Sequence, residues 1–575
     1  MKIELASHSG FCMGVRNAVQ KIVNIINTSG ETIQVYGPLI HNPQTIDILS
    51  RRGLKTIHSL DGISGGNIAI RTHGIPFHEY RKIRKEAARV INLTCPRVAK
   101  VQAIIKKFAS RGYFTVITGD DHHAEVIGLK SYASAGVSVI SSPAEAGALN
   151  LPDKTLLVSQ TTLERETFEQ IAAVLKNKLP AIEIVNTICD STRYRQSDVI
   201  EGIKKGADTM VVVGGKNSAN TRRLARIGEE AGIRTIYVET ADELDENDFR
   251  DSDYVLVTAG ASTPGWVINN AMERLYAFKF RKSNFLLNIL KRILEFSVRS
   301  HLVSSLAAFF MTLIVQSAAG IQRDLKLALV SLLYIFSMYS INNYFDRAFL
   351  KESNSYKYAI YGRFGSLYFG LSLACIALAG WLTYGYGLAA STILGLSYFL
   401  GLVYSTGPVR ALVQKAGLIM KRAYNTKIIA TIGWLVPLLL LAYIIYSPQI
   451  LPMISVGTAI FTIILFRQTL MDVIAIQGDV IFGRDTIPVL FGIERTFIML
   501  SALASAASLL MCIAAAWSGR WQTLFLVLNI AYYIALFRHI SRLRYLIALK
   551  YEVIVDFNYF LLIIFYCLLF FPVNF

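Results

Sequence analysis

Beyond residue 296 the chain becomes a series of apolar stretches about 18–20 residues long, the length a helix needs to cross a bilayer. Short polar gaps part them. Nine candidates begin near Val303, Leu325, Ser366, Gly387, Ile428, Leu451, Phe497, Trp521 and Val553. One such run reads equally well as a buried core helix. Nine in succession predict an all-α, polytopic membrane domain over residues 297–575. The earlier part of the chain instead has frequent charges and short apolar runs. This division explains how 575 residues can be 53% hydrophobic and still carry 58 Lys+Arg against 40 Asp+Glu. That balance excludes a disordered chain and a small disulfide scaffold.

The basic residues predict an orientation. The gap after the second run holds Arg347, Lys351, Lys357 and Arg363; that after the fourth holds Arg410, Lys415, Lys421, Arg422 and Lys427. Arg484 and Arg495 follow the sixth, and Arg538, Arg542, Arg544 and Lys550 follow the eighth. The alternate gaps hold little beyond Arg323, Lys326 and Arg520. Loops rich in Lys and Arg face the cytoplasm, and the opening MKIELASHSG has no apolar signal-peptide core. The expectation is a multi-pass protein of a bacterial-type inner (cytoplasmic) membrane, with its N-terminal domain in the cytoplasm and lipid as its environment. Residues 276–296 mix Lys279, Arg281, Lys282, Lys291 and Arg292 with Phe285, Leu286, Leu287, Ile289, Leu290, Ile293 and Leu294. They read as a basic amphipathic linker suited to an anionic leaflet. Much of the net charge of +18 lies in this segment and the basic gaps. Membrane orientation accounts for it, and no nucleic-acid signature occurs.

Residues 1–275 contain six short β-branched runs, each ending in a small residue and a polar cluster: 33–42, 67–74, 114–125, 155–162, 210–220 and 254–263. A helix-like stretch follows each. Repeated strand-then-helix units predict an α/β domain with parallel sheets, whose ligands gather beyond the carboxyl ends of the strands. Those ends carry His41, His73, His123 with Glu125, Thr161, Ser218 with Asn220, and Ser262. Together such groups suit a small anionic ligand such as a diphosphate.

Cys12, Cys95 and Cys189 lie in similar settings, GFCMG, LTCPRV and NTICDS, spaced by near-equal thirds of the domain. An odd number in a cytosolic domain argues against a disulfide framework. Two readings stay open: three unrelated buried thiols, or three thiolates meeting at one centre, one from each of three similar lobes. In the second, three soft ligands leave one corner of a four-iron cube free for a substrate oxygen.

The motifs GFCMGV, GPLIHNP, RTHG, TCPRVAKV, HAEVIG, SQTT, NTICDSTRYRQ, GGKNSANTRRL and AGASTP occur in this order. The set closely resembles the LytB/IspH family, 4-hydroxy-3-methylbut-2-enyl diphosphate reductases of the non-mevalonate isoprenoid route. The resemblance implies three α/β lobes around a [4Fe–4S] cluster on Cys12, Cys95 and Cys189. It implies a diphosphate held by His41, His73, His123, Ser218, Asn220 and Ser262, protons delivered by Glu125 with help from Thr161, and a ferredoxin or flavodoxin as electron donor. Two positions depart from the family pattern: Ala219 replaces the second serine of the KNSSN loop, and Asn92 replaces a common acidic residue.

In the apolar half, INNYFDRAFL (341–350), YSTGPVRALVQKAG (404–417) and MDVIAIQGDVIFGRDTIPVLFG (471–492) occur in that order. The pattern resembles the UbiA superfamily of membrane prenyltransferases. It implies Mg²⁺ on Asp346, Asp472, Asp479 and Asn342; Arg347, Lys415 and Arg484 read either as positive charge for a diphosphate or as residues marking the cytoplasmic side. Asn343, Leu350 and Ala475 stand where the family normally has Asp. The expectation is thus a reductase fused to a membrane prenyltransferase acting on a lipophilic acceptor. The competing readings are a membrane-tethered iron–sulfur redox sensor and a reductase with a non-catalytic anchor.

Overall fold

The six β-branched runs become the inner strands of three sheets. The computed structural model describes residues 1–29, 31–61, 63, 65–281, 285–347, 350, 355–405, 424–482, 484, 486–543 and 548–570. Two compact units are distinguished, Met1–Lys279 with Val480–Gly483 and Phe280–Asp479 with Arg484–Phe575. The strands of the first are β1 (Lys2–Leu5), β2 (Ile33–Tyr36), β3 (Leu54–Ile57), β4 (Asn67–Ile70), β5 (Arg89–Asn92), β6 (Phe114–Thr118), β7 (Val137–Ile140), β8 (Thr155–Ser159), β9 (Glu183–Ile184), β10 (Thr209–Val213), β11 (Arg234–Val238) and β12 (Tyr254–Ala259). They form three four-stranded sheets ordered β3-β2-β4-β5, β7-β6-β8-β9 and β11-β10-β12-β1. Every neighbouring pair is parallel.

The three sheets share one plan. In two, the chain runs from an inner strand to one edge, returns beside the first strand and moves to the other edge; in the third it follows the same course through β10, β11 and β12, and the far edge is β1, from the start of the chain. The inner pair therefore flanks the point where strand order reverses, and crevices for ligands open at such points. The inner pairs also end in register: Tyr36 faces Ile70, Thr118 faces Ser159, and Val213 faces Ala259. Strands β8, β10 and β12 are buried along their whole length, which explains their unbroken apolar sequence. The edge strands KIEL, LKTI, RVIN, VSVI, EI and RTIYV mix polar and apolar residues and are partly exposed.

The second unit is all helical. Among the described residues, eight helices are long and apolar enough to cross a membrane: Leu302–Ala319, Leu325–Phe345, Ile360–Tyr384, Lys427–Tyr446, Ile450–Ile476, Ile493–Ser518, Trp521–Arg542 and Lys550–Phe570. The ninth run is a shorter apolar helix, Leu388–Val403. If it also spans, alternation puts the exposed Trp381, Tyr384, Trp517 and Trp521 at one face, as in an aromatic belt. The acidic residues 346, 472 and 479 then lie at the other face. The segment read as a linker is divided between Gly265–Arg281 and Phe285–Arg299. In the latter Ile289, Ile293 and Phe296 are exposed along one helical face, an apolar stripe suited to a lipid surface. Lys415, with the rest of 406–423, lies outside the described residues, as do Lys351 and Arg544.

Candidate active site

The shared sheet plan repeats the polar residues as well as the strands. His41, His123 and Ser218 follow β2, β6 and β10 at the same interval. Thr72, Thr161 and Ala261 follow β4, β8 and β12 at another common interval. Each of these last three carbonyls accepts a hydrogen bond from a cysteine N–H: Cys95 to Thr72 at 2.9 Å, Cys189 to Thr161 at 2.8 Å, and Cys12 to Ala261 at 3.0 Å. One backbone bond, made three times, brings the cysteines beside the switch points. Cys95 and Cys189 occupy the N-cap positions of Pro96–Ala109 and Asp190–Lys204. Cys12 directly precedes Met13–Ser29.

One cavity of about 110 Å³ is lined by Cys12, Cys95 and Cys189 and by His41, His73, His123, Glu125, Thr161, Ser218, Asn220 and Ser262. All the soluble-half candidates are thus brought together. A side chain on Gly14 would place its Cβ 2.6 Å from the Cys95 sulfur and 3.9 Å from that of Cys12. The bare glycine keeps those two sulfurs close. No disulfide joins the three. Among the described residues no three His, Cys, Asp or Glu side chains converge on a single-ion position. Thiols that share a cavity without sharing a point suit the separate corners of a polynuclear cluster. Burial raises the Cys95 thiol above its ordinary range, opposed by N–H donors at Arg97 and Val98.

The histidines make a continuous group. The rings of His41 and His73 are 4.9 Å apart, and those of His73 and His123 are 5.5 Å apart. His123 Nδ1 accepts from the Glu125 N–H at 3.2 Å, so a neutral ring carries its proton on Nε2. Burial lowers all three: His123 to about 4, His41 to a lesser extent, and His73 well below the usual histidine range. The positive charge of Arg71 adds to each, and that of Arg222 adds to His41 and His123. His73 Nδ1 and both amide atoms of Asn220 are buried without a protein partner. Ser262 donates to the His41 carbonyl at 3.0 Å, and Ser218 accepts from the Thr221 N–H at 3.4 Å.

Glu125 is 1% exposed. Its Oε1 accepts from the Thr161 N–H at 2.7 Å, and its Oε2 accepts from the Thr161 hydroxyl at 2.8 Å. Burial pushes its acid up to about 7, although the two Thr161 bonds oppose that rise. The site thus holds a carboxyl that can carry a proton near neutrality. Arg71 and Arg222, within electrostatic reach of the histidines, were not singled out by sequence reasoning; the RTHG and NTRRL motifs containing them were the available signal.

In the helical unit, Asp346 pairs with Arg484 and Asp472 with Lys427, both at 3.1 Å. Asp472 and Asp479 are buried, each with Oδ2 lacking a hydrogen-bond partner. Asn342 contributes its carbonyl to the Asp346 N–H. Oxygen donors of this kind suit Mg²⁺, but as placed they do not converge on one ion position. Two of these carboxylates are paired with cations, while the buried Oδ2 atoms of Asp472 and Asp479 lack partners that a bound cation would supply; Mg²⁺ at these residues is a proposal. Leu350 packs with Tyr361 and Tyr368, and Ala475 is exposed. The side chain of Ala219 lies outside the described residues. Sequence reasoning also missed a third ionic pair, Arg467 with Asp556; lone charges inside apolar runs were the signal.

Known proteins align with the two halves separately. The family model described as LytB protein matches residues 3–276. A 4-hydroxy-3-methylbut-2-enyl diphosphate reductase of Geobacter sulfurreducens is 40% identical over 282 residues, covering 49% of this chain and 99% of that protein. One of Sulfurimonas denitrificans is 38% identical over 278 residues, covering 48% and 98%. A solved UbiA homologue from Archaeoglobus fulgidus bound to GPP and Mg²⁺ is 17% identical, covers 47% of this chain and 99% of its own, and has a TM-score of 0.33. That likeness is too slight to assign fold or chemistry.

Proposed function

The chain belongs, through residues 3–276, to the LytB family of 4-hydroxy-3-methylbut-2-enyl diphosphate reductases, and from that premise we propose that it removes the hydroxyl of (E)-4-hydroxy-3-methylbut-2-enyl diphosphate to give isopentenyl and dimethylallyl diphosphate. The observation that carries the reading is one cavity at three repeated switch points, lined by three thiols, three histidines and a buried acid. Cys12, Cys95 and Cys189 would hold a [4Fe–4S] cluster, which supplies two electrons and polarises the departing C–O bond. The chain's own residues do the rest. Asn220, Ser218, Ser262 and the ring N–H of His123 offer donors to the diphosphate, whose negative charge offsets the nearby guanidinium groups. Glu125 holds a proton, and Thr161 fixes its carboxyl. The two electrons are matched by two protons: one leaves with the hydroxyl as water, and the other ends on an allylic carbon. A ferredoxin or flavodoxin is the proposed donor.

For residues 297–575 the reading is transfer of a prenyl group to a lipophilic acceptor. The carbon–oxygen bond to diphosphate breaks with its electron pair on the leaving group, a bond forms to the acceptor, and the acceptor loses a proton. Lys427 and Arg484 would receive the diphosphate. The basic gaps support an inner-membrane location with the reductase half in the cytoplasm.

The test expresses the full chain anaerobically in cells lacking their own reductase. Growth is rescued by the wild type and by Asp472→Ala, and Cys95→Ser abolishes it. The wild type forms prenyl-diphosphate-dependent product in membranes and Asp472→Ala loses it; no such product from the wild type would favour the anchor reading. A cluster spectrum without rescue would favour the sensor. Gly14→Ala, by crowding the Cys95 sulfur, is expected to speed iron loss to a chelator by on the order of tenfold, followed by visible absorbance.

A further inference from the structure

The three sheets of the first unit meet along seams that are built differently. Between the sheet of β2 and β4 and that of β10 and β12, Ser262 donates to the His41 carbonyl and Gln44 Nε2 to the Glu239 carbonyl, both at 3.0 Å. A Cβ on Gly215 would stand 2.8 Å from the same His41 oxygen, so the two backbones touch. Between the sheet of β2 and β4 and that of β6 and β8, the Phe77 N–H donates to the Ser131 hydroxyl at 2.8 Å and the Phe77 and Tyr132 rings are 5.4 Å apart. There a Cβ on Gly128 would stand 3.7 Å from the Ile75 backbone. The third seam, between the sheet of β6 and β8 and that of β10 and β12, is crossed by longer side chains. Glu164, the N-cap of Arg165–Lys178, pairs through Oε1 with Nη2 of Arg223, on Ala219–Glu230. Their side chains are 31% and 19% exposed. The Thr167 hydroxyl donates to Glu164 Oε2 at 3.3 Å, and Arg223 Nη1 also reaches Glu230 at 3.1 Å.

These seams divide the walls of the cavity. His41, Ser218, Asn220 and Ser262 stand on the two sheets whose backbones touch, and close packing makes them one stiff block. His123, Glu125 and Thr161 stand on the remaining sheet. That sheet packs by its backbone against the β2 and β4 side, and a rotatable ion pair ties it to the β10 and β12 side. The pair lies just beyond the cavity walls: Thr161 and Thr162 on one strand end, Ser218 and Asn220 on the other, line the cavity. The hydroxyl and the diphosphate are at opposite ends of the proposed substrate. A donor for one end and an acid for the other must therefore keep a fixed spacing, and misplacement by about 1 Å costs roughly 10²-fold in rate. We infer that Glu164 and Arg223 are positioning residues for the reductive step: their pair holds the acid-bearing wall at the distance from Ser218 and Asn220 that lets Glu125 reach the departing hydroxyl. The inference rests on the proposed reductase reading of the cavity.

The full chain in lipid nanodiscs is assayed anaerobically with reduced methyl viologen, a donor that needs no docking protein. Glu164→Gln keeps the side chain's size and its acceptor for Thr167 and removes the charge. It is expected to lower kcat about tenfold and to raise KM less than about threefold, at wild-type iron content. Arg223→Met should do the same, and the double variant should lose no more than either single one, because the two side chains act as one unit. Amide hydrogen exchange reads the seam without turnover: residues 161–168 and 218–224 should exchange about fivefold faster in Glu164→Gln, with residues 37–45 at the wild-type rate. Unchanged kcat, a change in KM alone, additive losses in the double variant, or unchanged exchange in both segments overturns the inference. Absence of turnover in the wild type removes the reductase reading instead; faster exchange in both segments then still supports the tie between the two walls, and unchanged exchange overturns it.

Discussion

Glu125→Gln is expected to lower reductase turnover by about 10²–10⁴-fold while iron content and diphosphate binding stay at wild-type levels. The amide keeps the size of the carboxyl and can still accept from the Thr161 N–H, but it cannot deliver the acid proton. The pH profile gives a second readout. As the proposed proton donor Glu125 must be protonated to act, and burial raises its acid to about 7. Turnover should therefore be level below about pH 7 and fall about tenfold per unit above it. Glu125→Gln removes that limb along with the rate. Folding follows the same sign. The folded-state value of about 7 exceeds the ordinary 4.5, so this group's contribution to stability is complete below 4.5 and is lost as pH rises through 7. A variant with the wild-type rate and alkaline limb would assign the proton to another group.

The second large effect is expected in the apolar half. Asp556→Ala leaves the Arg467 guanidinium buried without its counter-charge, which should destabilise the helical unit by about 3–5 kcal/mol. The double variant Arg467→Met with Asp556→Leu removes both charges and should recover most of the loss. Thermal unfolding in one detergent, followed by near-ultraviolet circular dichroism, compares the three proteins. Equal stability of the single variant and wild type would show that water or lipid reaches the guanidinium.

The parts of the first unit legible in the sequence are those that burial makes distinctive. MVVV and YVLV are inner strands covered on both faces, so their apolar runs are unbroken. KIEL, RVIN and the two-residue EI are edges with mixed burial, and their sequences do not distinguish them from loops. The missed strands β5, β9 and β1 lead to the three cysteines. Cysteine context thus carried information that strand propensity did not. In the helical half, length and apolarity marked the helices. Arg467 and Asp556 are 89 residues apart, and no local pattern pairs them. The carboxylate motifs were legible as acidic positions, but Lys427 was read only as a sign of orientation; its approach to Asp472 depends on packing between separate helices.

The first strand of the chain has a single neighbour, the last strand of the same unit. On the ribosome, Lys2–Leu5 must therefore wait for Tyr254–Ala259 to emerge, about 10–50 s at synthesis rates of ~5–20 residues per second. Until then one sulfur of the trio has no finished lobe behind it. Loading of the proposed inorganic core would thus be a late event in translation, falling shortly before Leu302 opens the first long apolar helix. A slow-translating stretch between Ala259 and Leu302 would give iron delivery time to precede capture by the membrane-insertion machinery.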